Sequence, residues 1–150
     1  MLKPILLVED DPKDLELTLF ALERTQLANE VIVVRDGSEA LDYLFCRNAF
    51  AHRARGNPAI VLLDLKLPKV DGLGVLETIR ADEVLQSIPV AMLTSSQLDT
   101  DLTRAYELGV NSYVVKPFQL IEFVEAVAKL GMFWAVLNEP PPGSVRPVRK

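Results

Sequence analysis

Asp64 closes the apolar run Ala59-Ile60-Val61-Leu62-Leu63 and is followed by Leu65-Lys66-Leu67-Pro68. Such a run reads as a strand buried on both faces, and a carboxylate at its carboxyl end sits where open α/β sheets place their chemistry. A second run, Ile5-Leu6-Leu7-Val8, ends in Glu9, Asp10 and Asp11. A third, Tyr113-Val114-Val115, ends in Lys116-Pro117, and a fourth, Val90-Ala91-Met92-Leu93, ends in Thr94. Acids gathered at strand ends suit a hard cation, and a lysine and a hydroxyl beside them suit a phosphate. These are the residue types that moving a phosphoryl group onto a carboxylate requires. Two carboxylates about 4 Å apart repel by about 4 kcal/mol at an effective dielectric of about 20, so three cannot stay ionised and close without a cation. Magnesium suits the role, because it prefers one or two carboxylates together with waters and phosphate oxygens to an all-protein cage.

The elements that must position these residues follow from the pattern of the chain. Strand-like runs at residues 4–8, 30–34, 59–63, 88–93 and 112–115 alternate with segments of helical periodicity. Alternation of this kind predicts an α/β fold, a doubly wound parallel sheet with helices on both faces. Asp11-Pro12 supplies a capping acid and an N1 proline for a first helix whose Leu15, Leu19 and Leu22 share a face. Asp36-Gly37-Ser38 opens a second helix with Ala40, Leu41, Leu44 and Phe45 inward, and Asp71-Gly72 opens a third with Leu73, Leu76 and Ile79. A fourth begins near Asp99 and is stopped by Gly109, and the last runs from Gln119 to Leu137. Right-handed crossovers leave few topologies for five strands and five helices. Residues 48–58 are expected to form a long loop holding Arg53, Arg55 and the only histidine, His52. His52 reads as a solvated loop residue, and Cys46 as a small hydrophobe on the inner side of a helix.

Length and composition narrow the class. A chain of 150 residues with 49% hydrophobic residues fits one domain with a single well-buried core. A net charge of -5 gives no general drive toward nucleic acid or anionic membranes. No apolar run approaches a membrane span or a signal segment, and a lone cysteine suits a reducing compartment, so a cytoplasmic protein is expected.

Glu9-Asp10, Asp64, Pro68 with Asp71-Gly72, Thr94 and Lys116-Pro117, in this order and each following its strand, resemble the receiver domain of two-component response regulators. The resemblance spans residues 4–130 and implies a flavodoxin-like sheet of order 2-1-3-4-5. It also implies that Asp64 is the phosphoacceptor. Asp10, Asp64 and the backbone carbonyl of Lys66 would hold Mg²⁺, with Glu9 acting through water. Lys116 would hold a phosphoryl oxygen, Thr94 would donate its hydroxyl to another, and Lys116-Pro117 would be cis. Phosphorylation would draw Thr94 inward, with Tyr113 following as the switch aromatic. Activity would be confined to the domain's own phosphotransfer and autodephosphorylation. Lys66 departs from the asparagine that many receivers carry there, and Leu65 replaces the tryptophan some have beside the acceptor.

Residues 1–137 read as the receiver and 138–150 as a Pro-rich tail that cannot be helical. The 34 residues after Lys116 are expected to hold one helix and a tail but no helix-turn-helix or enzyme domain, so output is expected through protein contact. In the last helix Leu120, Phe123, Val124, Val127, Leu130 and Trp134 fit one buried stripe, while Ile121, Phe133, Val136 and Leu137 fall outside it. Phe133, Trp134, Val136 and Leu137 together make an apolar cluster too broad for one monomer's core, and they are the expected homodimer face, crossed by the partner's tail. The loop before Asp64 and the Phe133-Trp134 ending followed by prolines resemble single-domain response regulators paired with bacterial phytochromes. That resemblance implies a homodimer phosphorylated by a sensor histidine kinase, with the donor histidine supplied in trans. Two other readings compete. An aspartyl-phosphate hydrolase needs a second aspartate where Lys66 stands, and a degenerate receiver serving only as a binding module would not need every residue of the acidic site.

Overall fold

The computed structural model describes residues 2–116 and 120–134. Their five strands are β1 (Ile5–Val8), β2 (Val31–Val34), β3 (Ile60–Leu63), β4 (Val90–Thr94) and β5 (Ser112–Val115). Their five α-helices are α1 (Pro12–Arg24), α2 (Gly37–Leu44), α3 (Gly72–Ala81), α4 (Asp99–Glu107) and α5 (Leu120–Met132). Every strand pairing is parallel, and the sheet order is β2-β1-β3-β4-β5, the doubly wound, flavodoxin-like order expected.

The period of the strands divides the core into two. Leu6, Val8, Val61, Leu63 and Met92 point to the face covered by α2, α3 and α4, where Leu41, Leu44, Leu76 and Ile79 meet them. Ile5, Leu7, Ile60, Leu62 and Leu93 point to the opposite face and pack on Ala21 and Leu22 of α1 and Phe123 and Val127 of α5. The three central strands are buried throughout, which is why they read as continuous apolar runs; the edge strands β2 and β5 are partly exposed.

Each helix that follows β1, β2 or β3 is capped by an aspartate. Asp11 accepts from the Lys13 amide at 2.8 Å, Asp36 from the Glu39 amide at 2.8 Å and Asp71 from the Gly74 amide at 2.8 Å. The loops that lead into α2 and α3 pass close to one another and to β3. A Cβ on Gly72 would come within 2.2 Å of the Asp64 carbonyl oxygen, and one on Gly37 within 1.8 Å of the Val70 carbonyl oxygen. Only glycine fits at either point.

Four expectations change. β4 starts at Val90, not residue 88, because Pro89 has no amide to give the ladder and the Ile88 amide turns back to the Leu85 carbonyl at 2.9 Å. Cys46 lies just past α2 with φ of 54°, where its amide closes the turn on the Tyr43 carbonyl at 3.2 Å, and it is only partly buried. Residues 48–58 are not all loop: Asn48–Phe50 form a 3₁₀ turn, held by an edge-on contact between Phe50 and Tyr43 with centroids 5.2 Å apart. Arg53 reads as a loop cation from sequence, yet it stacks 4.0 Å from the Tyr43 ring centroid and donates to the carbonyls of Tyr43, Ala54 and Gly56. His52 is exposed, as expected. In α1 the fully buried positions are Thr18, Ala21 and Leu22, with Leu15 and Leu19 partly buried beside them. Pro117, Gln119, Val136, Leu137 and the tail 138–150 lie outside the described residues.

Candidate functional site

The acids and the lysine converge at the carboxyl edge of the sheet, because β1 and β3 are neighbours and end level with one another. One carboxylate oxygen each from Glu9, Asp10 and Asp64 lies within 4.8 Å of the others. Glu9 and Asp64 are buried, and Asp10 is partly so. The Glu9 carboxylate accepts from the Asp11 amide at 3.1 Å, so the turn that starts α1 also aims Glu9 into the site. Lys66 is exposed; its amide donates to Asp64 Oδ1 at 3.4 Å. All the candidate ligands are hard oxygens, and this set could hold a divalent cation.

Lys116 enters the same space from the end of β5. Its amide is held by the Thr94 carbonyl at 2.8 Å, which extends the β4–β5 ladder by one bond. Its Nζ reaches Glu9 Oε2 at 3.1 Å, Asp64 Oδ2 at 3.1 Å and Asp14 Oδ2 at 2.7 Å. Burial alone would depress the Lys116 ammonium, but the hydrogen bond to Asp14 and the charges of Asp64 and Glu9 outweigh it and raise its pKa above the usual lysine value. The Glu9 carboxyl is pushed up to about 7, chiefly by burial and then by the charge of Asp64, with Lys116 and the Asp11 amide opposing. Negative charge in the site exceeds what one ammonium offsets, which is the condition a divalent cation relieves.

Thr94 ends β4 and is buried, its Oγ1 accepting from the Ser96 amide at 3.3 Å. Tyr113 stands on β5 beside Met92, partly buried, with its hydroxyl on the Ser96 carbonyl. The dimer candidates divide. Trp134 packs on the α1–α5 side of the core, whereas Phe133 is 49% exposed and meets the Trp134 ring edge-on at 4.9 Å. Ile121 is also exposed, as the stripe predicts.

Two residues near the site carry no signal in the sequence. Asp14, in the first turn of α1, reads as an ordinary acid at a helix start, yet it makes the shortest of the Lys116 bonds. Ser96, two residues past Thr94, joins Thr94, Tyr113 and Asp101, donating to Asp101 Oδ2 at 2.6 Å. No helix of the described residues is long and apolar enough to cross a membrane.

Comparison with known proteins finds relatives that share this fold. The bacteriophytochrome response regulator RtBRR has a solved structure that superposes with a TM-score of 0.78 at 67% identity, covering 96% of this chain and 87% of that one. The phosphorylated cyanobacterial phytochrome response regulator RcpA superposes with a TM-score of 0.86 at 38% identity, over 94% and 99% of the two chains. Response regulator Rcp1 of Synechocystis sp. is 38% identical over 132 residues, 88% of each chain. Its Mn(2+)-bound structure superposes with a TM-score of 0.85 at 36% identity, over 93% of this chain and 99% of that one. The family model described as response regulator receiver domain matches residues 5–128, from the start of β1 into the last helix. That span takes in every strand and the whole acidic site, and the chain belongs to the response regulator receiver domain family.

Proposed function

We propose that this protein is a cytoplasmic response regulator that accepts a phosphoryl group on Asp64 from a sensor histidine kinase and signals through protein contact. The observation that carries the reading is Asp64 itself, a buried carboxylate with a lysine ammonium 3.1 Å from one oxygen and the carboxylates of Glu9 and Asp10 close by. In the transfer an Asp64 oxygen attacks phosphorus, the new P–O bond forms as the P–N bond to the donor imidazole breaks, and the imidazole leaves with the electron pair and takes up a proton. Glu9, Asp10, Asp64 and the Lys66 carbonyl would hold Mg²⁺, which supplies charge neutralisation to the phosphoryl oxygens when bound. Lys116 holds one phosphoryl oxygen and Thr94 turns its hydroxyl to another. Added charge of about -1.5 to -2 draws both groups inward. The similarity to phytochrome response regulators supports a bacteriophytochrome as the kinase, and the exposed Phe133 supports a homodimer through the end of α5.

Incubating the protein with Mg²⁺ and acetyl phosphate and measuring intact mass tests the acceptor. The wild type should gain one phosphoryl mass and Asp64→Asn none. A variant that still gains it sinks the assignment.

A further inference from the structure

The Lys116 ammonium has three N–H bonds and no more. It spends them on three carboxylates, and the closest, at 2.7 Å, is the Asp14 carboxylate, the one acid of the three outside the cation-capable cluster of Glu9, Asp10 and Asp64. The contact is built rather than casual. Asp14 is anchored in the first turn of α1, where its amide is held by the Asp11 carboxylate at 3.4 Å and its carbonyl accepts from Thr18 Oγ1 at 2.7 Å. The Lys116 side chain is 11% exposed and that of Asp14 30%, so Asp14 stands at the rim and Lys116 within.

We propose that Asp14 is a positioning residue that shares the Lys116 ammonium with Asp64 and offsets its charge, strengthening the cation site while opposing phosphorylation; this rests on Asp64 being the acceptor.

Two effects of one charge follow. By pairing with Lys116, Asp14 offsets part of the ammonium's charge, and the cluster of Glu9, Asp10 and Asp64 presents more of its negative field to a divalent ion. A phosphoryl group on Asp64 is a negative charge, so for it the same Asp14 is a competitor for the ammonium and a repelling neighbour at the rim. Removing the charge must therefore move cation affinity and phosphoryl acceptance in opposite directions. Loss of a merely structural contact at the start of α1 would impair both together.

The test compares wild type, Asp14→Asn and Asp14→Glu. Mg²⁺ affinity is measured by calorimetry without any phosphodonor, and phosphorylation by acetyl phosphate is followed by intact mass at saturating Mg²⁺. In Asp14→Asn the affinity for Mg²⁺ should fall about threefold or more and the phosphorylation rate should rise about threefold or more, each a modest fraction of one charge interaction at a partly exposed site. Asp14→Glu should return both toward wild type. Unchanged Mg²⁺ affinity in Asp14→Asn overturns the proposal, as does a fall in both quantities. A wild type that gains no phosphoryl mass removes the reading of Asp64 instead, and is told apart because the Mg²⁺ measurement needs no phosphodonor.

Discussion

The Tyr113 hydroxyl donates a hydrogen bond of 3.1 Å to the carbonyl of Ser96, whose own amide donates to Thr94 Oγ1. The strand aromatic and the strand-end hydroxyl are thus joined through one residue, which also holds the first turn of α4 through Asp101. A displacement of Thr94 toward Asp64 has to break the bond to the Ser96 amide or carry Ser96 with it.

Tyr113→Phe should therefore lower stability by about 1 kcal/mol, the usual worth of one hydrogen bond, and leave phosphorylation of Asp64 within twofold of wild type. Ser96→Ala keeps the backbone bonds to Tyr113 and Thr94 but removes the side-chain bonds to Asp101 and to the Leu98 amide, so it should cost more. Urea unfolding of the two single variants and the double variant measures the coupling; strict additivity would mean that the contacts are independent.

Metal affinity should depend on Asp10 more than on Glu9. Both Glu9 oxygens are engaged, one by the Asp11 amide and one by Lys116, while among the described residues the Asp10 carboxylate accepts no hydrogen bond. A free carboxylate coordinates directly at less cost than one that must first give up a donor. Calorimetry on Asp10→Ala and Glu9→Ala should show the larger loss of Mg²⁺ affinity in the first.

The elevated Glu9 pKa sets a pH dependence. With the carboxyl pushed up from 4.5 to about 7, the folded protein keeps a proton that the unfolded chain has released. Its contribution is complete below 4.5 and is lost as pH rises through about 7. Lys116, raised from 10.5, stays protonated in both states across that window and adds no slope. In a metal chelator, the Tm difference between wild type and Glu9→Gln should shift against the wild type between about pH 5 and pH 7. One group gives at most about 1.4 kcal/mol per pH unit, about 4 °C for a chain of this size. Saturating Mg²⁺ should remove the shift.

Phe133 and Trp134 should separate on substitution. Trp134→Ala removes a ring that packs on this chain's own core, so it should lower Tm in the monomer. Phe133→Ala changes an exposed ring and should leave Tm nearly unchanged while weakening the proposed dimer. Light scattering after size exclusion at micromolar concentration reads the second outcome, and an unchanged mass in Phe133→Ala would remove α5 as the interface.

Much of the fold was legible because each clue was local. Strand runs, Asp-Pro and Asp-Gly caps and the glycine after α4 each declare themselves within a few residues. Asp10, Asp64, Thr94 and Lys116 were legible as a set because all follow apolar runs that can only be central or neighbouring strands. Asp14 was not, since an acid in a first helical turn is ordinary and only the fold brings it to a lysine 102 positions away. Arg53 and Arg80 hid in the same way. Arg80 ties α3 to the carbonyls of Gln86, Ile88 and Gly109, bonds that no composition or periodicity reports. Cys46 misled because helical periodicity does not reveal where a helix turns left-handed and stops.

The close approaches at Gly37 and Gly72 bear on how this protein would look in a saturation mutagenesis survey. Any side chain at either position must displace a backbone carbonyl, at Gly72 that of Asp64 itself. A screen scored on phosphoryl gain alone would rank these two glycines beside Asp64, the proposed acceptor, although neither has a group that can touch a substrate. Scoring the same library for soluble abundance would separate them: Asp64→Asn should remain plentiful and inert, whereas Gly37 and Gly72 variants should vanish from both columns.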